Sequence, residues 1–180
     1  VKYSDDMALV ERILNPTTRE VGFRELVETY QKRLYWLIRG IVGSHDDADD
    51  VVQNTFLKIA RHLRSYKGEA ALLTWMYKIA ANESATFLAA SNQFRRAMQT
   101  ASPAHALSSS TDLTEEGIVS FLEKSIQSLP EKQRIVFCLR YFDGMPYEQM
   151  ATMTGTSVGA LKASYHHAVK KIEEAISNGK

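Results

Sequence analysis

Apolar residues along this chain recur every three or four positions and almost never alternate, which is the pattern of helices packed on one face. Met7, Leu9, Val10, Ile13 and Leu14 predict a short first helix that Pro16 closes. Phe23, Leu26, Val27, Tyr30, Leu34, Leu37, Ile38 and Ile41 predict an amphipathic second helix of about five to six turns, with Gly43 as its stop. A third helix is expected from Ser44 or Asp46 to about Leu63, facing inward through Ala48, Val52, Phe56, Ile59 and Leu63. Asp46, Asp47, Asp49 and Asp50 crowd its start, where the helix dipole favours negative charge. After a loop at 64–68, a fourth helix from about Ala71 to Leu88 repeats Leu72, Trp75, Met76, Ile79, Glu83 and Phe87.

The period then lapses over 92–114, a stretch of Ser, Thr, Asn, Gln and Ala around Pro103. It reads as a flexible linker of about twenty residues, longer than connections inside one compact domain. Beyond it Ile118, Phe121, Leu122, Ile126 and Leu129 predict a helix that stops at Pro130, and Pro130 opens the next. In that next helix Ile135, Val136, Leu139 and Tyr141 are expected to face inward. Residues 142–146 form a turn and 147–153 a short helix. A tight turn at 154–157 uses Gly155 for positive φ and Ser157 as a cap, before a last helix over 158–176. No strand pattern and no internal repeat emerge. The expected fold is all-α: two small helical domains, 1–92 and 116–180, joined by a linker at 93–115, the second containing a helix-turn-helix.

Composition narrows the function classes. With 44% apolar residues in 180, the chain is not disordered throughout. The longest apolar run, about residues 135–139, is far too short to span a bilayer. Asp5, Asp6, Glu11 and Glu20 leave no apolar core for a signal peptide, so a cytoplasmic location is expected. One cysteine, Cys138, excludes a disulfide framework and a cysteine-rich zinc site. It lies in an apolar helix with no base nearby in sequence, and reads as a core thiol rather than a nucleophile. Net charge is +1; residues 1–91 carry 12 basic and 12 acidic residues, and 112–180 carry eight and nine. Such balance argues against a tight unaided grip on nucleic acid, because phosphate contacts dominate that affinity. A local basic face remains open.

Four constellations carry candidate chemistry. From Tyr147 to Lys162 the chain fits a helix-turn-helix: small Ala151 at the helix crossing, Gly155 in the turn, and Val158 and Leu161 as apolar anchors. The second helix would expose Ser157, Gly159, Ala160, Lys162, Ala163, His166, His167 and Lys170, short or basic groups suited to a major groove. The plainer alternative is a helical hairpin with a solvated face. Asp46, Asp47 and Asp50 match the DDxxD spacing that holds Mg²⁺ against a diphosphate in some helical enzymes. No second acidic motif faces them, and a docking surface or simple N-terminal capping are the other readings. Adjacent His166 and His167 point about 100° apart on a helix and do not easily share a metal. Finally Trp75 and Ile79 read as core, with Tyr77, Lys78, Ala81 and Asn82 on other faces. Beside the loop Arg64, Ser65, Tyr66 and Lys67, these amide and aromatic groups suit an unstacked base. No phosphate-binding, metalloprotease or serine-hydrolase motif is present.

In order along the chain stand Asp46-Asp47-Ala48-Asp49-Asp50-Val51-Val52-Gln53-Asn54-Thr55-Phe56, Thr74-Trp75-Met76-Tyr77-Lys78-Ile79-Ala80-Ala81-Asn82, Ser128-Leu129-Pro130-Glu131-Lys132-Gln133-Arg134 and the helix-turn-helix. Together they resemble the extracytoplasmic-function sigma factors, two-domain initiation subunits of bacterial RNA polymerase. The run from Thr156 to Ala168 looks like the Bacteroidetes branch. The resemblance implies that Asp46, Asp49, Asp50, Gln53, Asn54 and Phe56 dock on the polymerase β′ clamp. It implies that Arg64, Ser65, Tyr66, Lys67, Lys78 and Asn82 face and melt the −10 element. It implies that Ser157, Val158, Gly159, Ala160, Lys162, Ala163, His166, His167 and Lys170 read the −35 element, with the second domain near the β flap. Core RNA polymerase, promoter DNA and an anti-sigma factor are the implied partners. No catalytic residue, cofactor, metal or small-molecule substrate is implied. Two departures stand out: Thr86, Phe87, Leu88, Ala89 and Ala90 follow the Asn where relatives often carry Asp and basic residues, and Ser164 replaces a frequent Arg. A stand-alone helix-turn-helix repressor and a Mg²⁺-dependent diphosphate enzyme are the alternatives from other classes.

Overall fold

The computed structural model describes residues 3–99 and 115–178, and every regular element among them is helical. In chain order these are α1 (Tyr3–Leu14), α2 (Arg19–Val42), α3 (His45–His62), a single 3₁₀ turn (Leu63–Ser65), α4 (Leu72–Gln99), α5 (Glu115–Gln127), α6 (Glu131–Tyr141), α7 (Tyr147–Thr154) and α8 (Val158–Asn178). The expected stops hold. Gly43 ends α2 at φ 89°, its N–H donating to Arg39 O at 3.0 Å. That backbone is strained for any residue with a Cβ. Ser44 then caps α3, its hydroxyl accepting from the Asp47 N–H. Pro130 stands at the N-cap of α6.

α1 to α4 form one bundle around Leu26, Leu34, Ile38, Ile59, Leu72 and Met76, all essentially inaccessible to water. α6, α7 and α8 form a second around Leu139, Met150, Leu161 and Ala168, with α5 packed on α8. Burying each such side chain contributes about 1.5–3 kcal/mol, so the cores rather than helix propensity hold the elements.

One expectation about length and three about faces need correction. α4 continues to Gln99, into the stretch read as linker; residues 100–114 lie outside the described residues. Tyr77, expected off the core, is fully buried, because α4 is covered on a second side by the partner bundle. Tyr141, expected inside, is 59% exposed, and on α3 Val51 rather than Val52 is the buried valine. For the three face assignments, neighbours that no periodicity records decide which face is wide enough to be covered.

The bundles also touch. α2 packs against α5 and α6, and α4 packs against α7, so their apolar interiors join into one cluster.

Candidate functional site

Three surfaces carry the predicted residues. On α3, Asp46, Asp49, Asp50, Gln53 and Asn54 are all exposed. His45 sits at the head of this face, its Nδ1 2.8 Å from the Tyr35 hydroxyl and 3.6 Å from Asp49. Phe56 is not part of it: the ring is 8% exposed and packs edge-on against Phe23, 6.4 Å between centroids. Phe56 therefore supports the acidic face from beneath. The apolar residue that does join the face is Leu57, 50% exposed and at helical spacing from Asp50 and Asn54. Its place in the apolar-rich run of α3 hid it from the sequence reading.

The second surface lies where α3 turns into α4. Arg64, Ser65 and Lys67 are exposed in the loop, and Lys78 and Asn82 are exposed on α4. Tyr66 corrects another expectation. It is buried, with its hydroxyl donating to Ala70 O at 2.6 Å and its ring tilted against Trp75 at 5.6 Å. It shapes the loop with its hydroxyl tied down, and it still contributes to the lining of the depression beside it. Between loop and helix lies an open depression of about 320 Å³, bordered by Ser65, Lys67, Glu69, Trp75 and Lys78. Glu83, read as part of the inner stripe, is nearly buried and is neutralised by the Lys58 ammonium of α3. That pair ties the acidic helix to the helix behind the loop.

The third surface is the helix-turn-helix. Gly155 ends α7 at φ 68°, its N–H donating to Ala151 O at 2.9 Å, and Ser157 accepts from the Ala160 N–H at 3.3 Å. Leu161 is buried as the anchor. Ser157, Gly159, Ala160, Lys162, Ala163, His166, His167 and Lys170 are all exposed, while Val158 is half-buried and serves chiefly as a second anchor. Lys162 Nζ lies 5.8 Å from the Tyr147 ring centroid, and the Arg140 guanidinium lies 5.0 Å from it. Tyr147 thereby brings Arg140 of α6 close to Lys162 of the second helix. Among the described residues, no three His, Cys, Asp or Glu side chains are grouped as a metal site.

A seam of polar contacts joins the bundles, and its chemistry is that of a helix end. The last carbonyls of α2 lack intrahelical partners. Gln127 Nε2 donates to Gly40 O and Arg134 Nη1 to Ile41 O, each at 2.9 Å, so side chains of the second bundle cap a helix of the first. Cationic Arg134 suits that negative dipole end, and burial holds its guanidinium pKa below the ordinary value. Arg39 adds an ion pair to Glu123 at 2.8 Å, and Arg33 one to Asp143 at 2.7 Å. Gly40 permits the approach: a Cβ there would stand 2.6 Å from Cys138 Sγ. At the other end of the seam, Thr152 and Met153 of α7 complete the border of the depression beside Lys78. A larger cleft of about 530 Å³ runs between Asn82 and the turn at Gly155.

Comparison with known proteins agrees along the chain. Residues 26–94 match the family described as Sigma-70 region 2, and residues 122–172 the family described as Sigma-70, region 4. The RNA polymerase sigma-H factor of Pseudomonas aeruginosa is 33% identical, over 95% of this chain and 93% of its own length. The ECF RNA polymerase sigma-E factor of Haemophilus influenzae is 33% identical over 95% of each. Among solved structures, CnrH in complex with the cytosolic domain of CnrY superposes with a TM-score of 0.72 at 21% identity, covering 97% of this chain and 99% of that one. The sigma factor RpoE of Bartonella quintana, solved with the anti-sigma factor NepR, gives 0.68 at 22% identity, covering 86% and 96%. The last two share the fold. With region 2 on the bundle that bears the acidic helix, region 4 on the helix-turn-helix, and full-length relatives at 33% identity, the chain belongs to the extracytoplasmic-function sigma factors of the sigma-70 family.

Proposed function

We propose that this sigma factor divides promoter recognition between its bundles, each through the exposed surface described above. It is a non-enzymatic subunit that directs RNA polymerase to promoters. Residues 1–92 dock on core polymerase through Asp46, Asp49, Asp50, Gln53 and Asn54, with Leu57 as the apolar contact. The same unit engages and melts the −10 element through Arg64, Ser65, Lys67, Lys78 and Asn82. Residues 116–180 read the −35 element through the second helix of the helix-turn-helix, near the β flap, and 93–115 connect the two. Phe56, Tyr66 and Val158 support these surfaces from below.

The observation that carries the −35 assignment is the exposed face of α8. It presents small residues at its N-terminal end and Lys162, His166, His167 and Lys170 further along, above a Gly155 turn and a buried Leu161 anchor. Small side chains let a helix approach base edges, while cations meet phosphates. Near-zero net charge fits a subunit that a larger partner brings to DNA, since two weak contacts on one scaffold gain through effective concentration. In the packed arrangement α7 stands against the depression beside Lys78, so promoter engagement requires the bundles to part.

The solved relatives CnrH and Bartonella RpoE were captured with CnrY and with the anti-sigma factor NepR, which supports an anti-sigma partner here. The described residues contain no helix long and apolar enough to cross a membrane, and a polymerase subunit works in the cytoplasm. The run Thr156 to Ala168 supports a place in the Bacteroidetes-like branch, tested by which lineage's core enzyme the chain activates. The deciding experiment is run-off transcription with cognate core polymerase over a promoter library. Initiation at a subset with shared −10 and −35 sequences is expected; no stimulation on any template overturns the reading.

A further inference from the structure

Helix α4 begins without a capping side chain of its own. Ala71 precedes its first residue, Leu72, and alanine offers no acceptor to the unpaired N–H groups of the first turn. The acceptor comes instead from α1. Asp6 Oδ2 accepts from the Leu72 N–H at 2.8 Å, and Asp6 Oδ1 accepts from the Tyr30 hydroxyl of α2 at 3.3 Å. Asp6 is 2% exposed. A buried polar group is retained only where hydrogen-bond partners compensate its lost hydration, and here one partner is the backbone at the end of the loop described above. The next residue reinforces the contact. Gly68 sits in that loop at φ 72°, and Met7 Sδ lies 3.2 Å from where its Cβ would be. Tyr66 closes the same loop on itself through Ala70 O. Thus α1 grips the loop at Leu72 and lies beneath it at Gly68.

We propose that Asp6 is a positioning residue for −10 recognition: through Leu72 and the loop at 66–71 it sets the shape of the depression that takes an unstacked promoter base. This rests on the reading of that loop as the −10 surface. A base held by hydrogen bonds and stacking tolerates little displacement of its donors. The expected consequence of freeing the loop is therefore lost discrimination between bases, beyond lost stability.

The test uses the full chain with core polymerase and compares Asp6→Ala, Asp6→Asn and Asp6→Ala combined with Ala71→Ser. Serine at position 71 supplies a local cap to α4 and restores helix stability without restoring the link to α1. Three quantities are read: thermal unfolding, affinity for core polymerase, and open-complex yield on duplex promoters with each −10 base changed in turn. Expected are unchanged core affinity and a tenfold or greater loss of base preference in both the alanine variant and the serine double variant. Asp6→Asn, which keeps an acceptor for the Leu72 N–H, retains most of the preference. A template already melted across the −10 element is expected to recover the yield. Parental base preference in the folded double variant overturns the proposal, as does a parallel loss of core affinity. Should Asp6→Ala fail to fold, the double variant decides alone. Lys78→Ala and Asn82→Ala serve as controls. If these leave open-complex yield and preference intact, the −10 reading itself falls; if they impair them while the double variant does not, only the role of Asp6 falls.

Discussion

Lys162 stands exposed on α8 with its ammonium held over the Tyr147 ring, which limits the side-chain entropy it would lose in the proposed −35 contact. Lys162→Ala is expected to weaken −35 binding by about 1 kcal/mol, the scale of one phosphate or base contact; footprinting of the holoenzyme checks this, and an unchanged footprint removes Lys162 from the surface. Buried protons give a second residue-level expectation. Burial, reinforced by the neighbouring Asp6 charge, raises the Tyr30 pKa from 10.0 to about 12. Burial likewise raises Cys138 from 9.0 to about 12, against the opposing charge of Arg134. Both pKa values are higher in the folded state, so the unfolded chain loses these protons first as pH rises. The stabilisation is present in full below about pH 9 and is lost as pH climbs toward 12. Denaturant unfolding across that window is expected to show the decline, and Tyr30→Phe is expected to shrink it above pH 10.0.

At the scale of the element, α3 separates the residues that hold the fold from those of the proposed polymerase contact by its two sides. Ala48, Val51, Phe56 and Ile59 point inward, while Asp49, Asp50 and Leu57 face solvent. The dipole gain from acidic residues fades beyond the first turn, so Asp49 and Asp50 contribute little to holding the helix. Asp49→Ala with Asp50→Ala is expected to cut co-purification with core polymerase while circular dichroism and the melting temperature stay near parental values. Leu57→Ser is expected to do the same, whereas Phe56→Ala loses about 3–5 kcal/mol of stability as a truncated core aromatic. Equal losses of polymerase binding and fold in all three would remove the distinction. The sequence displayed the acidic side plainly. It did not separate Phe56 from Leu57, because adjacent apolar residues near the edge of a stripe are assigned only by what packs over them.

For the whole molecule, the seam is what the proposed promoter contacts would have to open. Its ion pairs each have one partner near half exposed, so each is worth little alone and is weakened by salt, while its caps on α2 are part-buried hydrogen bonds. Gly40→Ala places a methyl group 2.6 Å from Cys138 Sγ. It is expected to part the bundles without unfolding either. Small-angle scattering would show a larger radius, and a thiol reagent would label Cys138 faster at unchanged helix content. Slow labelling and an unchanged radius would mean that the seam tolerates the methyl group and is not the closing contact. Arg134→Ala, which leaves the buried Ile41 carbonyl without this donor, is expected to act in the same direction.

Periodicity, Pro and Gly punctuation and the helix-turn-helix spacing determined the helices, most of their boundaries and the family, because these follow from local backbone preference and from which face of a helix is apolar. The exposed cations of α8 and the acids of α3 were legible for the same reason: polar residues opposite an apolar stripe have nowhere to go but solvent. Tertiary structure alone decided the rest. Tyr66 and Tyr77 are buried and Tyr141 is not, since an aromatic with a polar tip is stable in either place and the neighbouring helices choose. Asp6 caps a helix that begins at Leu72, and Arg134 caps one that ends at Val42. An unpaired backbone group accepts any partner that folding brings within about 3 Å, and a partner so distant along the chain leaves no mark in the sequence around either residue.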